Sequence, residues 1–264
     1  MISDLFTLVI QGPVHRNMLT MLGLQSHMNT IVSTWNNSTW THPTVKEYIE
    51  TVNRPNLKII INDMPKQAKM DKVYNSQNRY YQFLSTFKGL QWVSTPYVIK
   101  VRSDEYYMDL TPVMQLLLEN DEKLVTSDVF FRRIEYLRYH VSDHVMAAKT
   151  PRMLDMFKEM LYDCEFNKNK LKFAPFSQHD FWLFVEQQIG MKYIELCERK
   201  EGMIYKHPSD FKMVKELMIK HFDVVNTALL GEFYITANCE KKVFVNDLSY
   251  FDETRDIAHS LEEL

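Results

Sequence analysis

The sequence predicts an α/β fold built on a mostly parallel sheet flanked by helices. Three observations predict it. Apolar segments of strand length alternate with helical periodicities over the first hundred residues. The strand at Tyr97–Val101 ends in an acidic pair, Asp104 and Glu105. The turn after the first strand holds a single glycine, Gly12. Four strand–helix units in succession favour a parallel sheet, because each crossover returns the chain to the same end of the sheet.

The elements follow in order. Leu5–Ile10 reads as a strand that breaks at Gln11, Gly12 and Pro13. Arg16–His27 has helical spacing, and Thr30–Ser33 is a short second strand. Pro43 opens a helix to about Val52, since proline suits a first helical turn. Leu57–Ile61 is the third strand, closed by Asn62, Asp63, Met64 and Pro65. Apolar residues from Val73 to Trp92 keep a helical period, and Tyr97–Val101, after the turn at Ser94–Pro96, is the fourth strand.

Beyond Glu105 the pattern changes. Thr111 and Pro112 form an N-cap and first-turn pair for a helix to about Asn120. Lys123–Phe131 and Asp143–Ala148 read as strands, and Pro151–Tyr162 as a helix. Asn167–Lys172 is expected to be a mobile loop, followed by helices at Ser177–Gln188 and Ser209–His221 and a β-rich end at Val224–Val225, Phe233–Thr236 and Val243–Val245. With no repeat and no linker, residues 1–264 are expected to be one domain. About 1–105 would form a nucleotide-binding half and about 106–264 an acceptor-side half.

Composition narrows the function. A net charge of −3 with no basic run excludes a polyanion-binding surface, so nucleic acid is not an expected partner. Three widely spaced cysteines, Cys164, Cys197 and Cys239, argue against a disulfide framework or a structural zinc site and for a reducing compartment. With the first strand beginning near Leu5, no signal peptide is expected, and no apolar run reaches the roughly 20 residues of a membrane span. The expected location is the cytoplasm, compatible with peripheral membrane contact. The lone glycine of the first turn excludes a G-x-G-x-x-G or Walker loop, so classical NAD, P-loop and methyltransferase readings fall away.

Strand ends carry the candidate chemistry, because ligands of open α/β sheets sit outside the carboxyl ends of the strands. Gln11 and Gly12 close the first strand, and Asn62 and Asp63 the third. Turn chemistry alone accounts equally well for Gly-Pro and Asn-Asp at those places. Lys100, Arg102, Asp104 and Glu105 crowd the end of the fourth. A carboxylate flanked by cations suits a divalent metal carrying a diphosphate. An ordinary solvated strand end is the plain alternative.

Several ordered segments are similar to the WavE-type lipopolysaccharide-synthesis glycosyltransferases: Val9–Val14, Ser33–Trp35, Ile61–Asp63, Gln82 with Ser85–Thr86 and Gly89–Leu90, Lys100–Glu105, and Ser142–His144. They span about the first 150 residues. Two departures stand out. The family's usual Asn-Arg-Gln is here Tyr80, Tyr81 and Gln82, with Asn78 one turn earlier. Arg102 replaces the first acid of the usual Asp-x-Asp, leaving Asp104.

The resemblance implies an A-type glycosyltransferase architecture with a Rossmann-like front half. It implies a sugar moved from a nucleotide-sugar donor, UDP-linked, to an oligosaccharide or glycan hydroxyl in polysaccharide biosynthesis, with inversion and with Mn²⁺ or Mg²⁺. Asp104 and His207 would hold the metal, with His221 a weaker choice. Gln11, Gly12, Asn62, Asp63, Gln82, Lys100, Arg102 and Asp143 would bind substrate, and Trp35 would stack on a base or sugar unless it is simply buried. Asp180 would be the catalytic base, although Ser177 and Asp180 also read as a helix-capping pair. Rival readings are a sugar-phosphate nucleotidyltransferase, which should show a Gly- and Lys-rich phosphate loop, and a non-catalytic glycan-binding or assembly protein.

Overall fold

The computed structural model describes residues 2–36, 47, 52, 54–64, 76–129, 131–135, 137–166, 183–199, 205–237 and 242–245. The first strand, β1 (Phe6–Gln11), is buried at every position. Both its faces are covered, Leu8 and Ile10 lying in one core and Val9 in the other, so an apolar run rather than an alternating one is what its place in the sheet requires. After helix α1 (Arg16–Leu24), β2 (Asn29–Trp35) pairs parallel with β1, and β3 (Leu57–Asn62) parallel with β2. Helix α2 (Ser76–Leu90) crosses back, and β4 (Tyr97–Arg102) pairs parallel with β1 on its other side. The predicted helix at Pro43–Val52 lies outside the described residues except for Glu47, which is helical, and Val52, which is not.

The two-residue β5 (Tyr106–Tyr107) precedes α3 (Thr111–Glu119). The N-cap position of α3 is Leu110, and the Thr111 amide donates to Asp109 Oδ1 at 2.7 Å, so the cap expected of Thr111 belongs to Asp109. An aspartate two residues ahead reaches the first free amide more readily than a threonine already within the helix. Then β6 (Leu124–Ser127), β7 (Val145–Lys149), α4 (Thr150–Phe166), α5 (Leu183–Glu198), α6 (Phe211–His221), β8 (Phe222–Val225), β9 (Phe233–Ala237) and β10 (Lys242–Val245) follow.

The seven-stranded sheet has the order β3-β2-β1-β4-β7-β6-β8. Strand β7 runs antiparallel to both β4 and β6, and β8 parallel to β6, so the sheet is mixed but mostly parallel. A Rossmann-like α/β sheet flanked by helices, as expected of A-type glycosyltransferase architecture, is what the chain forms. A second sheet, β10-β9-β5, is antiparallel.

Strand alternation splits the core in two. Leu8, Ile10, Ile99 and Val101 face α1 and α3, whereas Val9, Val98 and Met146 face α2, α4 and α5. Lys100 shares the second face with Val98, so the sheet carries a lysine side chain into a closed interior toward α2 and α5. Among the described residues no helix is long and apolar enough to cross a membrane.

Candidate functional site

The carboxyl ends of β1 and β4 are knitted together before any charged group enters. The Gly12 amide donates to the Ser33 carbonyl at 3.1 Å, and the Ser103 amide to the Gln11 carbonyl at 2.9 Å. Ser103 Oγ donates to the Pro13 carbonyl at 2.6 Å. Gly12 has φ +127°, and a Cβ there would lie 2.5 Å from Ser103 Oγ, so both backbone and space demand glycine. Asn17 Nδ2, in the first turn of α1, donates to the Asp104 carbonyl at 2.8 Å and pins the acidic turn from the other side.

On this frame stands a buried cluster of charge. Lys100 Nζ, with no exposed surface, donates to the Asp143 carbonyl and lies 3.8 Å from Asp143 Oδ2. Arg102 grips Asp104 with two parallel bonds, Nε to Oδ1 at 3.1 Å and Nη2 to Oδ2 at 2.9 Å. The same guanidinium lies 3.1 Å from Glu105 Oε1 and 3.9 Å from Asp143 Oδ1. Glu105, wholly buried, accepts from Tyr107 Oη at 2.9 Å and meets His144 Nδ1 at 2.5 Å. Gln82 Nε2 reaches across from α2 to donate to Asp143 Oδ2. Glu186, in the first turn of α5, lies 2.8 Å from His140 Nε2. Because β7 runs antiparallel, Asp143 and His144, just before it, come to the same end of the sheet as the close of β4.

The protonation equilibria follow from this packing. Burial pulls the Lys100 ammonium below its ordinary pKa, and the Asp143 charge restores only part of that. Burial works against the Arg102 charge, but Asp104, Glu105 and Asp143 together carry its pKa well above normal. For Asp143 burial favours the neutral acid, yet Lys100 and Arg102 outweigh it and hold the carboxyl well below the usual range. Asp104 follows the same pattern, with Arg102 outweighing burial. His144 is penalised by burial, but Glu105 lifts it above an ordinary histidine. Glu186 is pushed well above the usual carboxylate range by burial and then by the Asp143 charge.

The expected site residues divide. Lys100, Arg102, Asp104, Asp143 and Gln82 come together. Gln11 is buried, and its side-chain oxygen accepts from Ser85 Oγ at 3.0 Å. Asn62 is also buried, donating to Ser33 Oγ at 3.0 Å and to the Thr34 carbonyl at 2.9 Å, so it ties β3 to β2. Asp63, one residue beyond the strand, is exposed. Trp35 is 4% exposed and packs edge-on against Tyr81, with ring centroids 5.5 Å apart, which makes it a core residue. His221 sits against Glu198 at 2.5 Å, at the end of α6. Asp180, Ser177 and Asn167–Lys172 lie outside the described residues.

The metal ligands expected from sequence were Asp104 and His207. The structure engages each elsewhere. Both Asp104 oxygens face Arg102, and His207 packs edge-on against Tyr139 and Tyr205 with centroids 5.1 and 4.9 Å away. Among the described residues, Asp143, His144 and Glu186 each present one ligand atom within 4.8 Å of the other two, and all three are buried. One imidazole nitrogen with two carboxylates is a mixed donor set that fits Mn²⁺ better than the oxygen-seeking Mg²⁺. Glu105 on the far nitrogen of His144 is the kind of outer carboxylate that orients a ligating imidazole.

Glu105, His144 and Glu186 were not assigned from sequence. His144 lies in the Ser142–His144 segment, from which only Asp143 was taken. Glu105 adjoins the chosen acid, and Glu186 is an isolated acid in an otherwise ordinary helix.

The family described as WavE lipopolysaccharide synthesis matches residues 6–254. No curated protein matches the sequence. Among solved structures, HddC from Yersinia pseudotuberculosis complexed with GMP-PN is similar at TM-score 0.35 and 10% identity, over 56% of this chain and 79% of that one. A second HddC structure gives TM-score 0.35 and 11% identity, over 57% and 78%. S. aureus TarS 1-349 gives TM-score 0.36 and 12% identity, over 70% of this chain and 55% of that one. These likenesses assign no residue and no ligand here.

Proposed function

The chain belongs to the WavE lipopolysaccharide-synthesis family, and from that premise we propose that it transfers a sugar from a UDP-linked nucleotide sugar to a glycan hydroxyl, with inversion. The observation that carries this reading is the buried charge cluster at the carboxyl end of β4, where open α/β sheets place ligands. The Arg102 guanidinium there suits a diphosphate leaving group.

In this reading residues 1–264 act as one transferase unit. The front half takes the nucleoside beside the ends of β1 and β3, with Asp63 toward the ribose. Gln11 and Asn62 hold the floor through their bonds to Ser85 and Ser33. Arg102 faces the phosphates, and Lys100 holds Asp143 in place behind it. Asp143, His144 and Glu186 would hold the divalent ion, Mn²⁺ or Mg²⁺. When bound, that ion supplies Lewis-acid neutralisation of the departing diphosphate. Asp180 takes the proton from the acceptor hydroxyl as it attacks the anomeric carbon from the face opposite the diphosphate.

A thermal-shift screen against UDP-, GDP-, CMP- and dTDP-sugars, each with and without Mn²⁺, tests the reading. A ligand at 100 times its dissociation constant adds about 2.7 kcal/mol of stability. A shift confined to UDP-sugars and enlarged by Mn²⁺ is expected. No shift with any of the four would overturn the transferase reading.

A further inference from the structure

The Arg102–Asp104 pair poses a question that the donor reading does not answer. A guanidinium fork binds a carboxylate and a phosphate in the same planar, two-bond geometry. Asp104 takes that geometry in full, at 3.1 and 2.9 Å. An anionic ligand approaching Arg102 therefore meets a carboxylate already in the place it needs.

The other anions around Arg102 are not placed to yield. Glu105 has no exposed side-chain surface and is held by Tyr107 and His144. Asp143 is 5% exposed and tied to Lys100 and Gln82. Asp104 is different, with 23% of its side chain exposed, against 14% for Arg102. Its backbone is fixed, because Asn17 holds its carbonyl and the neighbouring Ser103 amide is bonded to Gln11. Its side chain is the most exposed of the three acids around Arg102. His15, half-buried at the N-cap of α1, feels the Asp104 charge and offers a second polar neighbour on that side.

We propose that the Arg102 fork is a phosphate-binding site whose place is taken by the Asp104 carboxylate as an internal stand-in, which a diphosphate-bearing ligand displaces. The proposal rests on the donor reading for the identity of the ligand, though not for the existence of the anion site. It assigns Asp104 the opposite role from a metal ligand. A ligand-holding acid helps binding, whereas a stand-in opposes it.

The two roles give opposite signs in one experiment. Full-length wild-type chain and the Asp104→Asn variant are titrated calorimetrically with UDP, GDP and inorganic pyrophosphate, in EDTA and again with Mn²⁺. Loss of the competing charge should tighten UDP and pyrophosphate binding about two- to fivefold in EDTA, in line with the worth of a partly exposed ion pair. Asp104→Ser should give the same gain, which guards against a local defect of the asparagine, and adding Arg102→Gln should remove it. Unchanged or weaker binding in EDTA overturns the proposal. A loss seen only with Mn²⁺ overturns it as well, by making Asp104 a metal ligand. If pyrophosphate shows the gain while neither nucleotide binds, the anion site stands and the nucleotide reading falls. If no probe binds any variant, both fall.

Discussion

At the scale of single residues the cluster is a balance of buried charges, and Lys100 is its most exacting member. Its ammonium has no exposed surface, and its partners are the Asp143 carbonyl and, more distantly, the carboxylate. Lys100→Met keeps the volume but leaves Asp143 buried with one cation fewer and an unmatched carbonyl. A destabilisation of roughly 2–4 kcal/mol is expected, measured as a shift in the urea midpoint. Adding Asp143→Asn should recover part of it, since the two losses share one cause. A single variant as stable as wild type would show that Lys100 is not paired in this way. The sequence marked this lysine as one of the cations crowding the acidic end of β4. Glu105 went unassigned for a physical reason. Adjacent residues at a strand end turn to different sides, so of two neighbouring acids one is partly exposed and the other buried, and composition does not say which.

At the scale of elements, α5 brings Glu186 to the site, and Gly190 sets its distance from the chain before β7. A Cβ on Gly190 would lie 1.9 Å from the Tyr139 carbonyl oxygen, so any other residue must push the helix away. Gly190→Ala is expected to cost roughly 1–3 kcal/mol, read as a lowered melting temperature. Mn²⁺ binding should weaken in the same variant, because Glu186 moves with the helix. Retained Mn²⁺ affinity would remove Glu186 from the donor set. Elements such as β1 to β4 were legible because apolar runs rich in β-branched residues, too short for a helix and bounded by turn residues, fit strands. The direction of β7 was not, since a strand pattern reads the same in either sense. The pairing of Tyr106–Tyr107 with β9 was equally hidden. It joins residues 126 apart, Tyr106 Oη donating to Glu232, and local spacing does not encode such contacts. Antiparallel β7 matters for function, since it turns Asp143 and His144 toward the end of β4.

At the scale of the whole molecule, the sheet separates two apolar cores, and the charged cluster sits where the second core meets the open end of β1 and β4. Folding must therefore bring ionised acids into a closed space, and stability should follow their titration. Asp104 gives the clearest case. Although burial alone would raise it, Arg102 holds its folded pKa below the ordinary 3.8. A depressed carboxylate adds stability that is fully present above the unfolded value and is lost as pH falls through the folded one. Wild type should thus lose stability steeply below about pH 4, the range in which a free aspartate titrates. Asp104→Asn has no such proton to bind. It should be less stable than wild type at pH 7, by about 1 kcal/mol for a pair that solvent partly screens. That difference should shrink toward zero as the pH falls below the folded value. Urea midpoints of the two proteins from pH 3 to 7, taken in EDTA, would show the curves converging at the acid end. Parallel curves would mean that the Arg102–Asp104 pair contributes nothing to folding, and that the carboxylate lies beside the guanidinium without being held by it.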